Sequence, residues 1–76
     1  SKPSVAYFDY VFSRIPSITR ENCLLIGDSP SSDLRGANNY SIPCCWYNPQ
    51  GLARPQGLRI DYEIRDLPEL LPIVNP

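Results

Sequence analysis

The 76-residue chain contains no histidine and only three cysteines. The absence of histidine excludes Ser-His-Asp and Cys-His catalysis and any histidine-ligated metal site. Cys23, Cys44 and Cys45 are odd in number and have no C-x-x-C spacing, so neither a zinc site nor a disulfide framework is indicated. Because each cysteine lies in an apolar run, we expect buried free thiols in a reducing, cytoplasmic setting.

Basic residues are also few. Seven Lys and Arg against eight Asp and Glu give a net charge of −1, and Lys2 is the single lysine. Without a basic run there is no electrostatic basis for binding nucleic acid or an anionic membrane. No apolar stretch approaches the roughly 20 residues of a membrane span. Any chemistry must therefore use carboxylates, hydroxyls, thiols or that lysine.

Apolar periodicity predicts alternating helices and strands. The predicted elements are, in order, helix 4–15, strand 23–26, helix 33–39, strand 44–47, strand 61–64 and helix 67–74. Residues 49–59 hold two Pro and two Gly, which predicts a loop. The order α-β-α-β-loop-β-α implies parallel strands with flanking helices, a Rossmann-like α/β fold. The continuous apolar run at 23–26 predicts a strand covered on both faces.

Two acidic residues follow the first predicted strand. Ligands in open α/β sheets bind beyond the carboxyl ends of the strands, where Asp28 lies. Asp33 falls in the first turn of the next helix, so both carboxylates can reach one rim and hold Mg²⁺. Ser29 and Ser32, between them, are candidates to contact a phosphate or to support the metal ligands. The alternative is structural, with Gly27-Asp28 a turn and Asp33 a helix-capping charge, and the spacing leaves both interpretations open.

Three motifs together resemble a known family. They are Gly27–Asp33 (GDSPSSD) after the apolar strand, Lys2-Pro3 before a helix that carries Phe8, and Gly36-Ala37 after the second acid. This pattern resembles the carboxyl-terminal part of haloacid dehalogenase-like (HAD) hydrolases. The resemblance covers nearly the whole chain, including residues 46–49 and the tail at 61–71. It is closest to the phosphatases that include the pyrimidine 5′-nucleotidases.

The resemblance implies Mg²⁺-dependent hydrolysis of a phosphate monoester, either a small phosphorylated metabolite or a nucleoside 5′-monophosphate. Lys2 matches the family lysine that holds the nucleophilic carboxylate and the phosphoryl group by charge. Asp28 matches the acid that binds Mg²⁺, and Asp33 its companion, which orients the metal's waters or pairs with the lysine. From its position alone, Lys2 would be a disordered terminal residue.

The chain departs from the family pattern in two places. Tyr40-Ser41 replaces the Ala-Gly turn after the helix, so a residue other than glycine must occupy a position that glycine favours. No D-x-D nucleophile segment occurs, so an aspartyl-phosphate would have to form on an upstream Asp. We therefore expect residues 1–76 to be the carboxyl-terminal portion of a HAD core whose cap and nucleophile lie elsewhere. The expected partners are the remainder of that core and a small-molecule phosphate ester.

Other activities fit the pattern less well. The acid pair favours phosphate hydrolysis over dehalogenation, which needs no metal. An esterase that uses Ser29 as its nucleophile would need a histidine base, which the chain lacks. The alternative from another class is a non-catalytic, truncated α/β module for binding or assembly, which the missing nucleophile favours. The sequence predicts neither the natural substrate nor the oligomeric state.

Overall fold

A computed structural model describes residues 13–15 and 17–75. In this part of the chain, parallel strands β1 (Leu25–Gly27), β2 (Cys44–Tyr47) and β3 (Tyr62–Ile64) form a sheet in the order β1-β2-β3. The three predicted strands and their parallel direction are therefore confirmed. The predicted helix 4–15 lies outside the described residues except for its last three, of which two are helical.

Helical segments follow β1 and β3. A π-helical turn at Pro30–Leu34 leads into helix α1 (Arg35–Asn39), and a 3-10 turn at Leu67–Leu70 leads into helix α2 (Leu71–Val74). Within the described ranges, no helix is long and apolar enough to cross a bilayer. The connection between the parallel strands β1 and β2 thus contains a helix, which is the usual crossover between such strands.

The core lies between one face of the sheet and α1. The parallel register pairs Leu25 with Cys44 and Gly27 with Trp46, which places these residues on the same face. Trp46 is 1% exposed, which confirms that this aromatic residue belongs to the core. The buried residues that pack together here are Leu34, Ala37, Tyr40, Ile42, Cys44 and Trp46.

The opposite face of the sheet is only partly covered. Ile26, Cys45 and Tyr62 are neighbours on it. Cys45 is buried, whereas Ile26 is 41% and Tyr62 43% exposed. An open groove of about 460 Å³ is lined by these two exposed residues together with Ile73 and Val74. The prediction that the first strand is covered on both faces is therefore wrong for the described part of the chain.

The first and third strands begin later than the sequence predicts. The ladder between β1 and β2 starts at Leu25, whose N–H donates to the carbonyl of Pro43 (3.0 Å). Proline has no N–H and cannot donate the next hydrogen bond of the ladder, so pairing does not extend toward Cys23. The third strand begins at Tyr62. At Asp61 a side-chain contact takes the place of backbone pairing, because the carboxylate of Asp61 accepts the N–H of Cys44 (2.8 Å).

The last helix is divided by its prolines. Pro72 lacks the N–H that would donate to the carbonyl of Pro68 in an α-helix. The N–H of Leu71 donates to that carbonyl instead and closes a 3-10 turn. The predicted helix 67–74 is therefore two short pieces, and Leu67 and Leu71 of its predicted apolar face are more than half exposed.

The end of α1 is a Schellman motif with serine at the glycine position. The N–H of Ile42 donates to the carbonyl of Ala37 (2.8 Å), and that of Ser41 to the carbonyl of Asn38 (3.1 Å). Ser41 has a φ of 61°, a left-handed conformation that non-glycine residues adopt at a cost. The departure at Tyr40-Ser41 is therefore accommodated locally.

Candidate active site

The carboxyl ends of the three parallel strands lie along one rim of the sheet. Asp28 follows β1, Asn48 follows β2 and Arg65 follows β3. Asp28 is exposed, and no residue of the described ranges forms an ion pair with its carboxylate. Its position is the one at which sheets of this type bind ligands.

The turn after β1 is built around a single carbonyl group. The carbonyl oxygen of Ser29 accepts hydrogen bonds from the N–H groups of Ser32 (3.3 Å), Asp33 (2.8 Å) and Leu34 (3.3 Å). Pro30 occupies the first helical position, where its missing N–H costs nothing. This wide turn brings Asp33 back toward the end of β1.

Asp33 is held by a second contact with the same residue. Its Oδ2 accepts the N–H of Ser29 (3.2 Å), the residue that precedes the helical turn. Asp33 therefore makes a structural contact at the start of this turn, although the side chain of Ser29 makes no capping hydrogen bond. The contact uses one carboxylate oxygen of Asp33 and restrains the direction of that carboxylate.

The two serines contact each other. Ser32 Oγ donates to Ser29 Oγ (2.7 Å). Ser29, Ser32 and Asp33 are therefore joined in one hydrogen-bonded group, and Asp28 precedes that group in the chain. Lys2 lies outside the described residues, so its predicted contact with the phosphoryl group and the nucleophile stays a prediction.

The donor set fits a hard divalent cation that retains most of its water. Asp28 and Asp33 offer carboxylate oxygens at the same end of β1, and Mg²⁺ typically takes one or two protein carboxylates in addition to water and substrate phosphate. Among the described residues, no group of three or more His, Cys, Asp or Glu side chains is arranged to hold a metal. The pair would thus supply part of the coordination shell.

A second polar group at the rim was not predicted. Asn48 is 2% exposed. Its Nδ2 donates to the carbonyl of Leu52 (2.9 Å) and to Glu63 Oε2 (2.8 Å), while its Oδ1 accepts the N–H of Leu52 (3.0 Å). Arg54 forms an ion pair with Glu63 Oε1 (3.0 Å). The hydrogen bonds from Asn48 and Arg54 hold the pKa of Glu63 below its usual range. The sequence offered one indication of this group: Asn48 comes directly after a predicted strand, and Asp28 lies beyond the end of another.

A third polar group joins β2 to the loop before β3. Asp61 Oδ2 accepts the N–H of Cys44 (2.8 Å) and the Nε–H of Arg59 (3.0 Å). Partial burial acts to raise the pKa of Asp61, but these hydrogen bonds outweigh it and the net effect is a lowered pKa. Asn38 binds the backbone N–H and carbonyl of Arg59 (2.7 and 2.9 Å). These contacts stabilise the fold away from the acid pair.

The cysteines are free thiols, as expected. Cys44 and Cys45 are buried as predicted, whereas Cys23 is only partly buried, so the predicted burial is wrong for Cys23. Burial raises the pKa of all three thiols. They are therefore protonated near neutral pH and do not offer a thiolate nucleophile.

Comparison with known proteins identifies the family. The profile of the HAD-hydrolase-like family matches residues 1–70, so the chain belongs to this family. YfnB of Bacillus subtilis, named as a HAD-hydrolase, is 42% identical over 74 residues, which are 97% of this chain and 32% of YfnB. Pyrimidine 5′-nucleotidase PynA of Streptococcus pneumoniae is 33% identical over 70 residues, 92% of this chain and 30% of PynA.

Solved structures are similar along the whole chain. The crystal structure of YfnB bound to magnesium has a TM-score of 0.90 at 41% identity and covers 100% of this chain and 33% of its own. A HAD phosphatase from Thermococcus onnurineus gives 0.79 at 34% identity, with 97% and 33% covered. A 2-haloacid dehalogenase from Pseudomonas syringae gives 0.80 at 35% identity, with 97% and 31% covered. The chain therefore spans about a third of these relatives, and its predicted family and Rossmann-like fold are confirmed.

Proposed function

We propose that this chain is the carboxyl-terminal, metal-binding part of a HAD phosphatase that hydrolyses small phosphate monoesters, nucleoside 5′-monophosphates among them. The observation that carries the proposal is the return of Asp33 to the end of β1, next to Gly27-Asp28, at the ligand-binding rim of a parallel sheet. The names of PynA, a pyrimidine 5′-nucleotidase, and of the Thermococcus HAD phosphatase support this reaction class.

In this proposal, each residue after β1 has a separate task. Asp28, which is exposed, holds Mg²⁺ directly or through water. Asp33, with Oδ2 fixed by the Ser29 N–H, orients the metal's waters. The paired hydroxyls of Ser29 and Ser32 form the polar edge of the phosphate site. When bound, Mg²⁺ supplies positive charge that stabilises the phosphoryl group in the transition state. The magnesium in the YfnB structure supports this choice of ion.

The covalent step needs a residue from outside these 76. An upstream Asp carboxylate attacks phosphorus, the ester P–O bond breaks and the leaving oxygen takes a proton. Water then hydrolyses the aspartyl-phosphate, which releases phosphate and restores the carboxylate. Lys2 would stabilise the transferring group by charge. Free thiols are compatible with the reducing, cytoplasmic setting that we propose.

The remainder of the core is the partner that this proposal requires. The half-exposed Ile26 and Tyr62 leave an apolar sheet face that additional chain would cover. The intact mass of the naturally expressed polypeptide tests this point. We expect a mass well above the 8.6 kDa of these 76 residues. A mass of 8.6 kDa would favour the non-catalytic binding or assembly module instead.

Dehalogenation is a second candidate because a 2-haloacid dehalogenase is similar in sequence and structure. The two reactions separate in one experiment on the complete polypeptide. Phosphate release from nucleoside 5′-monophosphates and sugar phosphates is measured with MgCl₂ and with EDTA, and halide release from 2-haloacids is measured in parallel. We expect phosphate release that EDTA abolishes and no halide release. Halide release that persists in EDTA, without phosphatase activity, would contradict the proposal.

A further inference from the structure

Gly27, the last residue of β1, lies directly against the side chain of Asp33. A Cβ atom placed on Gly27 would be 2.5 Å from Asp33 Cβ, 2.5 Å from its Oδ2 and 2.7 Å from its Cγ. Rotation of the Asp33 side chain about its Cα–Cβ bond would move Oδ2 and Cγ away. It would not relieve the contact with Cβ, because the backbone sets the position of that atom. Any side chain at position 27 must therefore displace the backbone of Asp33.

The backbone of Asp33 has little freedom to move away. Its N–H donates to the carbonyl of Ser29 (2.8 Å), and the N–H of Ser29 returns a hydrogen bond to Oδ2 (3.2 Å). A displacement that makes room for a side chain on Gly27 would lengthen one or both of these bonds. The position of the Asp33 carboxylate is thus fixed by Ser29 and by the missing side chain of Gly27.

The requirement at Gly27 is spatial. Gly51 and Gly57 have positive φ values, of 69° and 80°, and a side chain there is strained by the backbone conformation itself. Gly27 does not share this conformation, so the backbone accepts alanine. A Gly27→Ala substitution therefore tests the contact with Asp33 without the conformational strain.

We infer that Gly27 is a positioning residue, whose lack of a side chain places the Asp33 carboxylate beside Asp28 for binding a divalent cation. This inference rests on the proposed function, because the placement of Asp33 matters chemically only if the two acids share a ligand. It adds to that function a residue that contacts neither metal nor substrate. Groups that orient metal ligands in this way typically change metal affinity by about 10–100-fold.

The test is a calorimetric titration of the substrate-free complete polypeptide with Mg²⁺. We expect Gly27→Ala to weaken Mg²⁺ binding at least about tenfold, with a native circular dichroism spectrum. The matched control is Gly57→Ala, since a Cβ at Gly57 meets no atom within 4 Å. This control should cost stability through its positive φ and leave Mg²⁺ affinity unchanged.

A double-mutant cycle tests the contact independently of the metal. Asp33→Gly removes all three atoms that a Cβ at position 27 would meet. Gly27→Ala should therefore lower the urea midpoint less in the Asp33→Gly background than in the natural one. Equal shifts in the two backgrounds would overturn the inference, even if Gly27→Ala alone proves too unstable for titration.

Asp28→Asn separates failure of the inference from failure of the proposed function. If Asp28→Asn loses Mg²⁺ affinity while Gly27→Ala binds as tightly as the natural protein, the inference is wrong and the metal site stands. If the natural polypeptide itself binds no Mg²⁺, the proposed metal site is wrong, and the positioning role falls with it.

Discussion

Replacing Asn48 with alanine removes three hydrogen bonds from a side chain that is 2% exposed. Two of them join Asn48 to the backbone of Leu52, and one joins it to the carboxylate of Glu63. A neutral hydrogen bond contributes about 1 kcal/mol to stability and one to a charged group about 2 kcal/mol, which sums to about 4 kcal/mol. Leu52 is 62% exposed, so water can replace part of the loss, and we expect a net cost of about 3 kcal/mol.

The assay is urea unfolding of the complete polypeptide, followed by circular dichroism and by the fluorescence of Trp46. This residue lies two positions before Asn48 and is 1% exposed, so it reports on the same strand. Asn39→Ala is the matched control, because Asn39 is exposed and surface substitutions usually change stability by less than about 0.5 kcal/mol. If Asn48→Ala costs no more than this control, the network does not anchor the loop after β2, and the reasoning is refuted.

Three further predictions concern the stability of the fold. Ser41→Gly should raise the free energy of unfolding by about 0.5–1 kcal/mol in urea melts, since glycine relieves the left-handed strain; a loss of stability would contradict the Schellman assignment. Glu63 and Asp61 have pKa values held below their ordinary 4.5 and 3.8, so their contribution is complete above those values and is lost as the pH falls through the lowered pKa values. The free energy of unfolding, measured at decreasing pH, should therefore decline from about pH 4.5 downward. Glu63→Gln should make this decline smaller; an unchanged pH profile in that variant would show that protonation of Glu63 does not contribute to it. The 76-residue polypeptide alone should unfold in urea with a low m-value, because Ile26 and Tyr62 leave one sheet face only partly covered; a cooperative transition with a normal m-value would show that it folds independently.

Patterns that depend on burial alone were predictable. The strand at residues 44–47 is an uninterrupted apolar run with Pro43 before it and Asn48 after it, and the structure gives it the same limits. Gly36 and Ala37 of the family pattern fall in the predicted helix at 33–39, and both are buried. Such features follow from local composition, because Cys44 and Trp46 of the strand pack with Ala37 of the helix in one core.

Features that depend on particular atoms could not be predicted. The carbonyl of Ser29 accepts three hydrogen bonds because of the local backbone geometry, which the sequence does not show. Asn48 and Glu63 form a hydrogen bond although fifteen positions separate them in sequence. A prediction from apolar periodicity also assumes that another part of the protein covers the apolar face of the helix. Leu71 is 65% exposed because nothing in the described ranges covers it. The placement of Asp33 against Gly27 combines both kinds of information, since the motif is visible in sequence and the contact is not.

Phosphatase activity of the complete polypeptide carrying Asp28→Asn tests the central claim most directly. The substitution keeps the shape of the side chain and removes the charge that would hold Mg²⁺, so we expect the Mg²⁺-dependent release of phosphate to fall at least about 10²-fold. Asp66→Asn is the control, because Asp66 is exposed and its side chain forms no capping hydrogen bond; its activity should match that of the natural protein. Equal activity of Asp28→Asn and the natural polypeptide would contradict the assignment of this rim as the metal site.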